Sequence, residues 1–338
     1  MRPHKTLLPH GGGVREASRE WGIPPGEWLD LSTGINPRGW PVPQVPENVW
    51  NRLPEDGDDL ESVARAYYGC QHLLPAAGSQ AIIQSLPRLV AKGPIGVVSP
   101  TYAEHAHAWY REGFEVTALD EVSDTLLDRL QVLIVVNPNN PTARVIPKTT
   151  LHNWWQRLQH HGGWLIVDEA FMDAADRESV AADTGRAGLL VLRSLGKFFG
   201  LAGARVGFLL AHPSVLQAVR AELGPWNVAG PSRWIARAAL ADHSWIEKTR
   251  DHLQKESQRL SQLLTSHGLT VQGRTALFQW VPLANQGVWY ENLARLGILV
   301  RKFDNPPGLR FGLPGSEAAW ERLTHALQHS VTVIPPPG

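Results

Sequence analysis

Short apolar runs alternate with stretches of helical periodicity, and this alternation limits the possible folds more than any other feature of the sequence. The apolar runs lie at residues 95–98, 132–136, 164–167, 189–192 and 206–210. Each run is brief, mostly β-branched or leucine, and does not alternate with polar residues, which is typical of strands buried on both faces. The pattern predicts an α/β fold with a mostly parallel central sheet and helices on both of its faces.

Composition and the pattern of apolar residues divide the chain into three parts. We predict an N-terminal arm at residues 1–50, a large domain at residues 51–230 and a smaller C-terminal α+β domain at residues 231–338. Proline and glycine are frequent in the arm, which is expected to contain little regular structure apart from a short strand near residues 28–31. A long helical region is predicted over residues 232–264. After it we predict strands at residues 269–271, 277–281, 298–300 and 309–311, with helices at residues 290–296 and from about residue 316. Ser316 is placed to cap the last helix.

Composition excludes several classes of protein. The 32 lysines and arginines balance 32 aspartates and glutamates, so no charge excess favours nucleic acid or an acidic membrane as a partner. Residues 1–8 have no signal-peptide pattern, and no apolar run is long enough to cross a bilayer. The single cysteine, Cys70, cannot form an internal disulfide, which fits a reducing compartment. We therefore expect a cytoplasmic protein whose partner is a small molecule, with no nucleic acid and no membrane.

Polar residues follow three of the predicted strands at the point where each strand ends. Asn137, Asp168 and Lys197 come after the second, third and fourth of the apolar runs. Ligands collect at the carboxyl ends of strands in open α/β sheets. The sequence therefore predicts that an amide, a carboxylate and an amine meet at one edge of the sheet.

These three groups suit a site for pyridoxal 5'-phosphate. A lysine amine forms a Schiff base with the aldehyde of this cofactor, and a carboxylate beside the pyridine nitrogen holds its proton by charge pairing. Lys197 and Asp168 are the candidates for these two roles. The apolar neighbours of Lys197, among them Phe198 and Phe199, favour the neutral, nucleophilic form of its amine.

The cofactor phosphate needs an anion cradle. Gly78, Ser79 and Gln80 precede a helical stretch, where backbone N–H groups and a hydroxyl can bind an anion. Ser194 and Arg205 are placed near Lys197 and can complete the cradle, the arginine with a forked cation. Tyr102 follows the strand at residues 95–98 and can stack on the cofactor ring.

Three motifs together resemble the signature of fold-type-I pyridoxal phosphate enzymes. They are Asn137-Pro138-Asn139-Asn140-Pro141, Val167-Asp168-Glu169-Ala170-Phe171, and Ser194-Leu195-Gly196-Lys197 with Arg205. Further segments are similar to the threonine-phosphate decarboxylases of the aerobic cobalamin pathway, whose branch also contains histidinol-phosphate aminotransferase. These segments are His10-Gly11-Gly12 and residues 30–37, 100–105, 224–228 and 309–312. The resemblance covers nearly the whole chain.

The resemblance implies a role for each matching residue. Lys197 is the implied Schiff-base lysine and Asp168 the implied partner of the pyridine nitrogen. The implied cofactor contacts also include Gly78, Ser79, Gln80, Tyr102, Ser194, Arg205 and, as donor to the ring oxygen, Asn137. The implied substrate contacts are Asn137, Arg310 with the backbone near Gly34 and Ile35 for the carboxylate, and His10, Gly11, Gly12, Ser32 and Asn36 for a phosphate group.

Two residues depart from the aminotransferases of this branch. Phe171 stands where many of them have a tyrosine that donates to the cofactor ring oxygen. Leu53 stands where the histidinol-phosphate enzymes have a tyrosine that reaches the cofactor phosphate of the partner subunit. Both departures weaken the aminotransferase interpretation, and Tyr67 and Tyr68 are candidates to replace the missing contacts.

The activity implied by the resemblance is decarboxylation of L-threonine O-3-phosphate to (R)-1-amino-2-propanol O-2-phosphate in cobalamin biosynthesis, by a homodimer. The alternative is an aminotransferase acting on a phosphorylated amino acid or amino alcohol. It would use the same residues, so the sequence alone does not separate the two. Potential metal ligands occur at Glu104, His105 and His107 and at His160 and His161, but no second ligand cluster lies at a useful spacing, and we expect no metal.

Overall fold

The computed structural model describes residue 8 and residues 10–175 and 178–333. In these ranges the helices are α1 (Val14–Trp21), α2 (Leu60–Tyr68), α3 (Ser79–Ser85), α4 (Ala103–Arg111), α5 (Asp124–Leu127), α6 (Lys148–Gln159), α7 (Pro213–Leu223), α8 (Gly230–Ala241), α9 (His243–Ser266), α10 (Gln286–Arg295) and α11 (Glu317–Val333). The strands are β1 (Leu29–Asp30), β2 (Leu73–Ala76), β3 (Ile95–Val98), β4 (Val116–Leu119), β5 (Val132–Val136), β6 (Trp164–Asp168), β7 (Leu189–Ser194), β8 (Gly207–Leu210), β9 (Gly273–Arg274), β10 (Phe278–Pro282), β11 (Ile298–Leu299), β12 (Arg301–Asp304) and β13 (Pro307–Gly312).

A seven-stranded sheet lies at the centre of the described chain, in the order β2-β8-β7-β6-β5-β3-β4. Strand β8 runs antiparallel to both of its neighbours, while the pairs from β7 to β4 are parallel. All five predicted apolar runs form strands of this sheet. The prediction of a mostly parallel central sheet is therefore confirmed.

The central strands are apolar throughout because both faces of the sheet are covered. On β5, Val132 and Ile134 belong to one buried cluster, while Leu133 and Val135 belong to another. The first cluster includes side chains of α3, α4 and α7, and the second includes side chains of α2, α6, α8 and α9. Since successive strand residues point to opposite faces, a strand between two helical layers needs apolar residues at every position.

The C-terminal part contains a second, antiparallel sheet in the order β12-β13-β10-β9. Its register places Arg301 directly opposite Arg310. The short strand β1 of the arm pairs with β11 in parallel, so the arm runs along this part of the fold. Ser316 caps α11 as predicted, since its Oγ accepts a hydrogen bond of 3.2 Å from Ala319 N. The three-part division of the chain stays a prediction.

The arm is more regular than predicted, because residues 14–21 form helix α1. The buried side chain of Ala17 and the partly buried Trp21 pack with Trp28 and with Leu299 of the C-terminal part. The helix ends at Gly22, whose φ of 71° is the left-handed conformation that favours glycine. The neighbouring glycines and prolines obscured this short amphipathic helix in the sequence.

The predicted helical region at residues 232–264 contains two helices instead of one. It breaks at Asp242, whose carboxylate accepts a hydrogen bond of 3.1 Å from Trp245 N and so caps the start of α9. The strand predicted at residues 269–271 is wrong, since the first strand of the second sheet lies at Gly273–Arg274. Among the described residues, no helix combines the length and the apolar character needed to span a lipid bilayer.

Candidate active site

The carboxyl ends of β5, β6 and β7 open into a pocket of about 490 Å³. Asp168 is the last residue of β6, and Lys197 follows the end of β7 by three residues. Both side chains line the pocket, together with residues of the arm and of the β12–β13 hairpin. The fold therefore places a carboxylate and an amine together at one edge of the sheet, as the sequence predicts.

Lys197 lies in a setting that favours its neutral amine. Its Nζ donates to Thr33 O at 3.2 Å and lies 5.2 Å from the ring centre of Phe171. Burial, reinforced by Arg310, lowers the pKa of Lys197 to about 8. Compared with an ordinary lysine, this shift raises the fraction of neutral amine near pH 7 by roughly 300-fold. Lys197 is thus prepared to act as a nucleophile.

Asp168 is a buried carboxylate held from two sides. Its Oδ2 is 2.8 Å from Nε2 of His105, and its Oδ1 accepts a hydrogen bond of 3.0 Å from Ala170 N. The His105 side chain is 2% exposed and that of Asp168 is 4% exposed, so this pair has little contact with water. The carboxylate is therefore fixed in place at the pocket wall. The sequence interpretation had considered His105 only as a potential metal ligand.

The residues predicted for the cofactor phosphate lie together. Ser79, Gln80, Ser194 and Arg205 all line the pocket. Gly78 allows the side chain of Arg205 to approach the loop closely, because a Cβ at this position would lie 2.6 Å from Nη2 of Arg205. Its φ of 81° also favours glycine. The hydroxyls of Ser79 and Ser194 and the guanidinium of Arg205 surround this tightly packed loop. Together they fit the phosphate group of pyridoxal phosphate.

Tyr102 lines the pocket beside this cradle, and its stacking on the cofactor ring stays a prediction. Its ring meets that of His105 edge-on, with centroids 6.0 Å apart. Burial raises the pKa of Tyr102 to about 12, so the hydroxyl stays protonated. Tyr67 and Tyr68, in contrast, do not line the pocket, and they pack behind it against Phe199 and Phe208.

The prediction for Asn137 does not agree with the structure. Its side chain is fully buried, donates to Ile146 O at 3.1 Å and accepts from Ile146 N at 2.8 Å. These bonds close the turn after β5 and direct the amide away from the pocket. Asn140, three residues later in the same motif, lines the pocket instead. We therefore expect Asn140, and not Asn137, to contact the cofactor or the substrate.

Arg310 lines the pocket, and its binding of the substrate carboxylate stays a prediction. Its Nη1 donates to Asn140 Oδ1 at 2.5 Å, and its Nη2 donates to Ser32 O. Burial and the nearby Arg301 lower the pKa of Arg310 to about 9. Like charges directly opposite on paired strands are unfavourable, so an anion bound at Arg301 and Arg310 would relieve this repulsion.

The arm supplies only some of the predicted substrate contacts. His10, Gly11 and Ile35 line the pocket, whereas Gly12, Ser32, Gly34 and Asn36 do not. The hydroxyl of Ser32 donates to Asp30 Oδ1 at 2.6 Å and accepts from Gly12 N at 2.7 Å. The amide of Asn36 donates to Phe198 O at 2.9 Å. The assignment of Gly12, Ser32 and Asn36 to a substrate phosphate is therefore corrected, because their polar groups hold the arm in place.

Arg301 and Lys302 also line the pocket, and the sequence interpretation did not identify them. Both lie on β12, which has only four residues and was not predicted as a strand. The signal in the sequence was the pair of cations directly after the predicted strand at residues 298–300. Their position in the site depends on the antiparallel pairing of β12 with β13, which brings Arg301 opposite Arg310.

A buried network of charges lies behind the site and connects the ends of β6 and β7. Arg193 Nη1 lies 2.6 Å from Glu169 Oε2, and its Nη2 lies 2.7 Å from Asp173 Oδ1. Glu169 directly follows Asp168, and Arg193 directly precedes Ser194. The network therefore holds the two strand ends that carry the carboxylate and the phosphate cradle.

Replacing Arg193 with alanine is expected to lower the free energy of unfolding by about 3–5 kcal/mol, because two buried carboxylates would lose their common partner. The measurement is urea denaturation of the purified variant. Arg52→Ala is the control, since Arg52 pairs with Glu55 at 2.6 Å in a largely exposed ion pair and is expected to have little effect. Equal stability losses in the two variants would show that the buried network does not stabilise the fold.

The sequence profile of a known family matches most of this chain. Residues 57–327 match the family described as aminotransferase class I and II. The chain belongs to this family. Its relatives within the aminotransferase class I and II family include the threonine-phosphate decarboxylase of Pseudomonas aeruginosa, which is 52% identical over 95% of this chain and 97% of that protein. The threonine-phosphate decarboxylase of a Sinorhizobium species is 41% identical over 94% of this chain and 97% of that protein.

Solved structures of this type have the same fold. The histidinol-phosphate aminotransferase of Sinorhizobium meliloti, solved in complex with pyridoxal-5'-phosphate, superposes with a TM-score of 0.85. The alignment covers 99% of this chain and 99% of that chain at 18% sequence identity. The aminotransferase class I and II fold is thus confirmed for this chain, in agreement with the fold-type-I architecture that the motifs predicted.

Proposed function

We propose that this protein is a pyridoxal phosphate-dependent decarboxylase of L-threonine O-3-phosphate. The observation that carries the proposal is the similarity, over nearly the full chain, to curated threonine-phosphate decarboxylases. The product is then (R)-1-amino-2-propanol O-2-phosphate, and the reaction belongs to cobalamin biosynthesis. An aminotransferase activity has less support, since both of these relatives are decarboxylases by name.

The charges of the pocket fit a ligand set with several anionic groups. Five cationic side chains line it, against two carboxylates, and the seven residues are Lys197, Arg205, Arg301, Lys302, Arg310, Asp168 and Asp304. The cofactor brings one phosphate, and the proposed substrate brings a second phosphate and a carboxylate. A cationic pocket of this kind attracts and orients polyanionic ligands.

When bound, pyridoxal phosphate supplies an electron sink that stabilises negative charge developing at the substrate Cα. The carboxylate of Asp168 would stabilise a proton on the pyridine nitrogen, and Ser79, Ser194 and Arg205 would bind the phosphate. Arg310 binds and orients the substrate carboxylate. Lys197 has a pKa near 8, so at neutral pH most of its amine is protonated and can donate the proton that Cα takes up when CO2 leaves.

Phe171 lines the pocket without any hydrogen-bond donor on its side chain. Its ring packs edge-on against Phe278, with centroids 5.0 Å apart. Asn140 lines the same pocket and has an amide that can make a polar contact. We propose that Asn140 provides the polar contact to the cofactor ring that a tyrosine provides in many aminotransferases.

Arg310→Lys is expected to raise the KM for L-threonine O-3-phosphate by roughly tenfold or more, because a point charge replaces a fork that can bind a carboxylate through two parallel hydrogen bonds. Affinity for the cofactor should stay unchanged. Steady-state kinetics and a spectrophotometric titration with pyridoxal phosphate measure the two effects. Arg274→Lys, at an exposed position on β9 of the same sheet, is the control. Parallel loss of substrate and cofactor binding would indicate that Arg310 is only structural.

We further propose that the protein is a cytoplasmic homodimer. Large apolar side chains are exposed on the arm, directly after it and on the loop before α8, namely Val42, Trp50, Leu53 and Trp226, each more than half exposed. Exposed apolar surface of this kind favours association. The single, buried Cys70 fits the proposed compartment. Light scattering tests the assembly, and a fully active monomer would contradict it.

The reaction is tested by incubating the purified protein and pyridoxal phosphate with L-threonine O-3-phosphate or with histidinol phosphate. The expected result is release of CO2 from the first compound, with (R)-1-amino-2-propanol O-2-phosphate as the product identified by mass spectrometry. No 2-oxo acid should be required. Turnover that depends on 2-oxoglutarate would instead assign an aminotransferase activity.

A further inference from the structure

We propose that Glu104 is a positioning residue that fixes His10 at the pocket for the phosphate group of the substrate. This inference deepens the proposed function and rests on its substrate, a phosphorylated amino acid. Glu104 is the second residue of α4, and its side chain is 12% exposed. It does not line the pocket, and it acts through His10, which does.

Both carboxylate oxygens of Glu104 have partners from different parts of the fold. Oε1 lies 2.8 Å from Nε2 of His10 in the arm. Oε2 accepts a hydrogen bond of 2.7 Å from Nε2 of Gln80, which belongs to the cradle for the cofactor phosphate. One carboxylate therefore connects the arm to the phosphate-binding loop of the large sheet.

The contact with Glu104 determines which ring nitrogen of His10 can serve the substrate. A carboxylate only accepts hydrogen bonds, so Nε2 must carry the proton between the two groups. When the ring carries both protons, Nδ1–H is the second donor, and it is the one that His10 would offer to a phosphate oxygen.

The backbone of the arm is anchored independently of Glu104. Gly12 N donates to Ser32 Oγ at 2.7 Å, and Gly11 packs so closely on Ser32 O that a Cβ would overlap with it. Loss of the Glu104 carboxylate should therefore release the His10 ring and leave the arm in place. This separation makes the inference testable by effects on substrate binding without effects on folding.

Glutamine is an informative substitute for Glu104. An amide has the same size but only one oxygen, so it cannot accept hydrogen bonds from both His10 and Gln80. Glu104→Gln is expected to raise the KM for L-threonine O-3-phosphate by roughly tenfold and to change kcat by less than about twofold. The dissociation constant of pyridoxal phosphate should stay unchanged. Glu112→Gln, at the other end of the same helix, is the matched control.

A double-mutant cycle tests whether the effect passes through His10. If it does, Glu104→Gln should add less than about twofold to the KM in a His10→Asn background. Independent, multiplying effects of the two substitutions would overturn the inference. A fall in cofactor affinity that parallels the rise in KM would also overturn it, because it would assign Glu104 to the cofactor cradle through Gln80.

Binding of 1-amino-2-propanol O-2-phosphate to the holoenzyme, measured by calorimetry, separates this inference from the proposed reaction. This ligand has the amine and the phosphate but no carboxylate, and it cannot be decarboxylated. We expect roughly tenfold tighter binding to the wild type than to Glu104→Gln, and equal binding of unphosphorylated 1-amino-2-propanol. Equal binding of the phosphorylated ligand to both proteins would overturn the inference, whereas absence of CO2 release in the wild type would overturn only the proposed reaction.

Discussion

Lys197→Ala is expected to lower the rate of CO2 release from L-threonine O-3-phosphate by at least about a thousandfold. The substitution removes both the covalent attachment of the cofactor and the amine that donates a proton to Cα after CO2 leaves. The structure loses little else, since the hydrogen bond of Nζ within the described residues is the 3.2 Å contact with Thr33 O. The variant should therefore fold normally and lack activity.

The measurements for this variant are the initial rate and the visible absorbance of the protein after addition of pyridoxal phosphate. Lys148→Ala serves as the control, since Lys148 pairs with Asp183 at 3.1 Å, outside the pocket. The control should keep the wild-type rate. A Lys197→Ala protein that retained more than a few per cent of the rate would exclude Lys197 from the chemistry.

Asp168→Asn is expected to lower kcat by about a hundredfold or more while the protein still binds the cofactor. Asparagine keeps the shape of the side chain and can still accept the hydrogen bond from Ala170 N. It carries no charge, however, and cannot stabilise a proton on the pyridine nitrogen. Because the side chain is only 4% exposed, water cannot replace the missing charge.

Steady-state kinetics and a titration with pyridoxal phosphate distinguish the catalytic effect of Asp168→Asn from a binding defect. The matched control is Asp183→Asn, which changes a partly exposed carboxylate paired with Lys148 and His152 at the surface. A normal kcat in Asp168→Asn would assign this carboxylate a purely structural role beside His105.

The large sheet was predictable because its central strands are buried on both faces and therefore apolar throughout. Strand β2 was not recognised, since Pro75 interrupts its short apolar run. Strand β4 was missed for a different reason: it lies at the edge of the sheet, and Thr117 and Ala118 are exposed. A proline in one strand and exposed edge residues in the other thus removed the continuous apolar signal.

The residues of the candidate site that come at or just after the end of a strand were predictable from the sequence. Lys197 and Asp168 belong to this group, and both line the pocket. Asn137 failed because the turn after β5 uses its amide, a detail that depends on the local path of the backbone. Arg301 was missed because its place in the pocket follows from the register of β12 against β13, which sequence spacing does not reveal.

The most direct test of the central claim, that Lys197 holds the cofactor in this pocket, is reduction of the holoenzyme with sodium borohydride followed by peptide mapping. Reduction fixes the link between the cofactor and the lysine amine. We predict that the mass of the reduced cofactor is found on the peptide that contains Lys197. A label on any other lysine, or a protein that remains colourless and unlabelled with pyridoxal phosphate, would contradict the assignment.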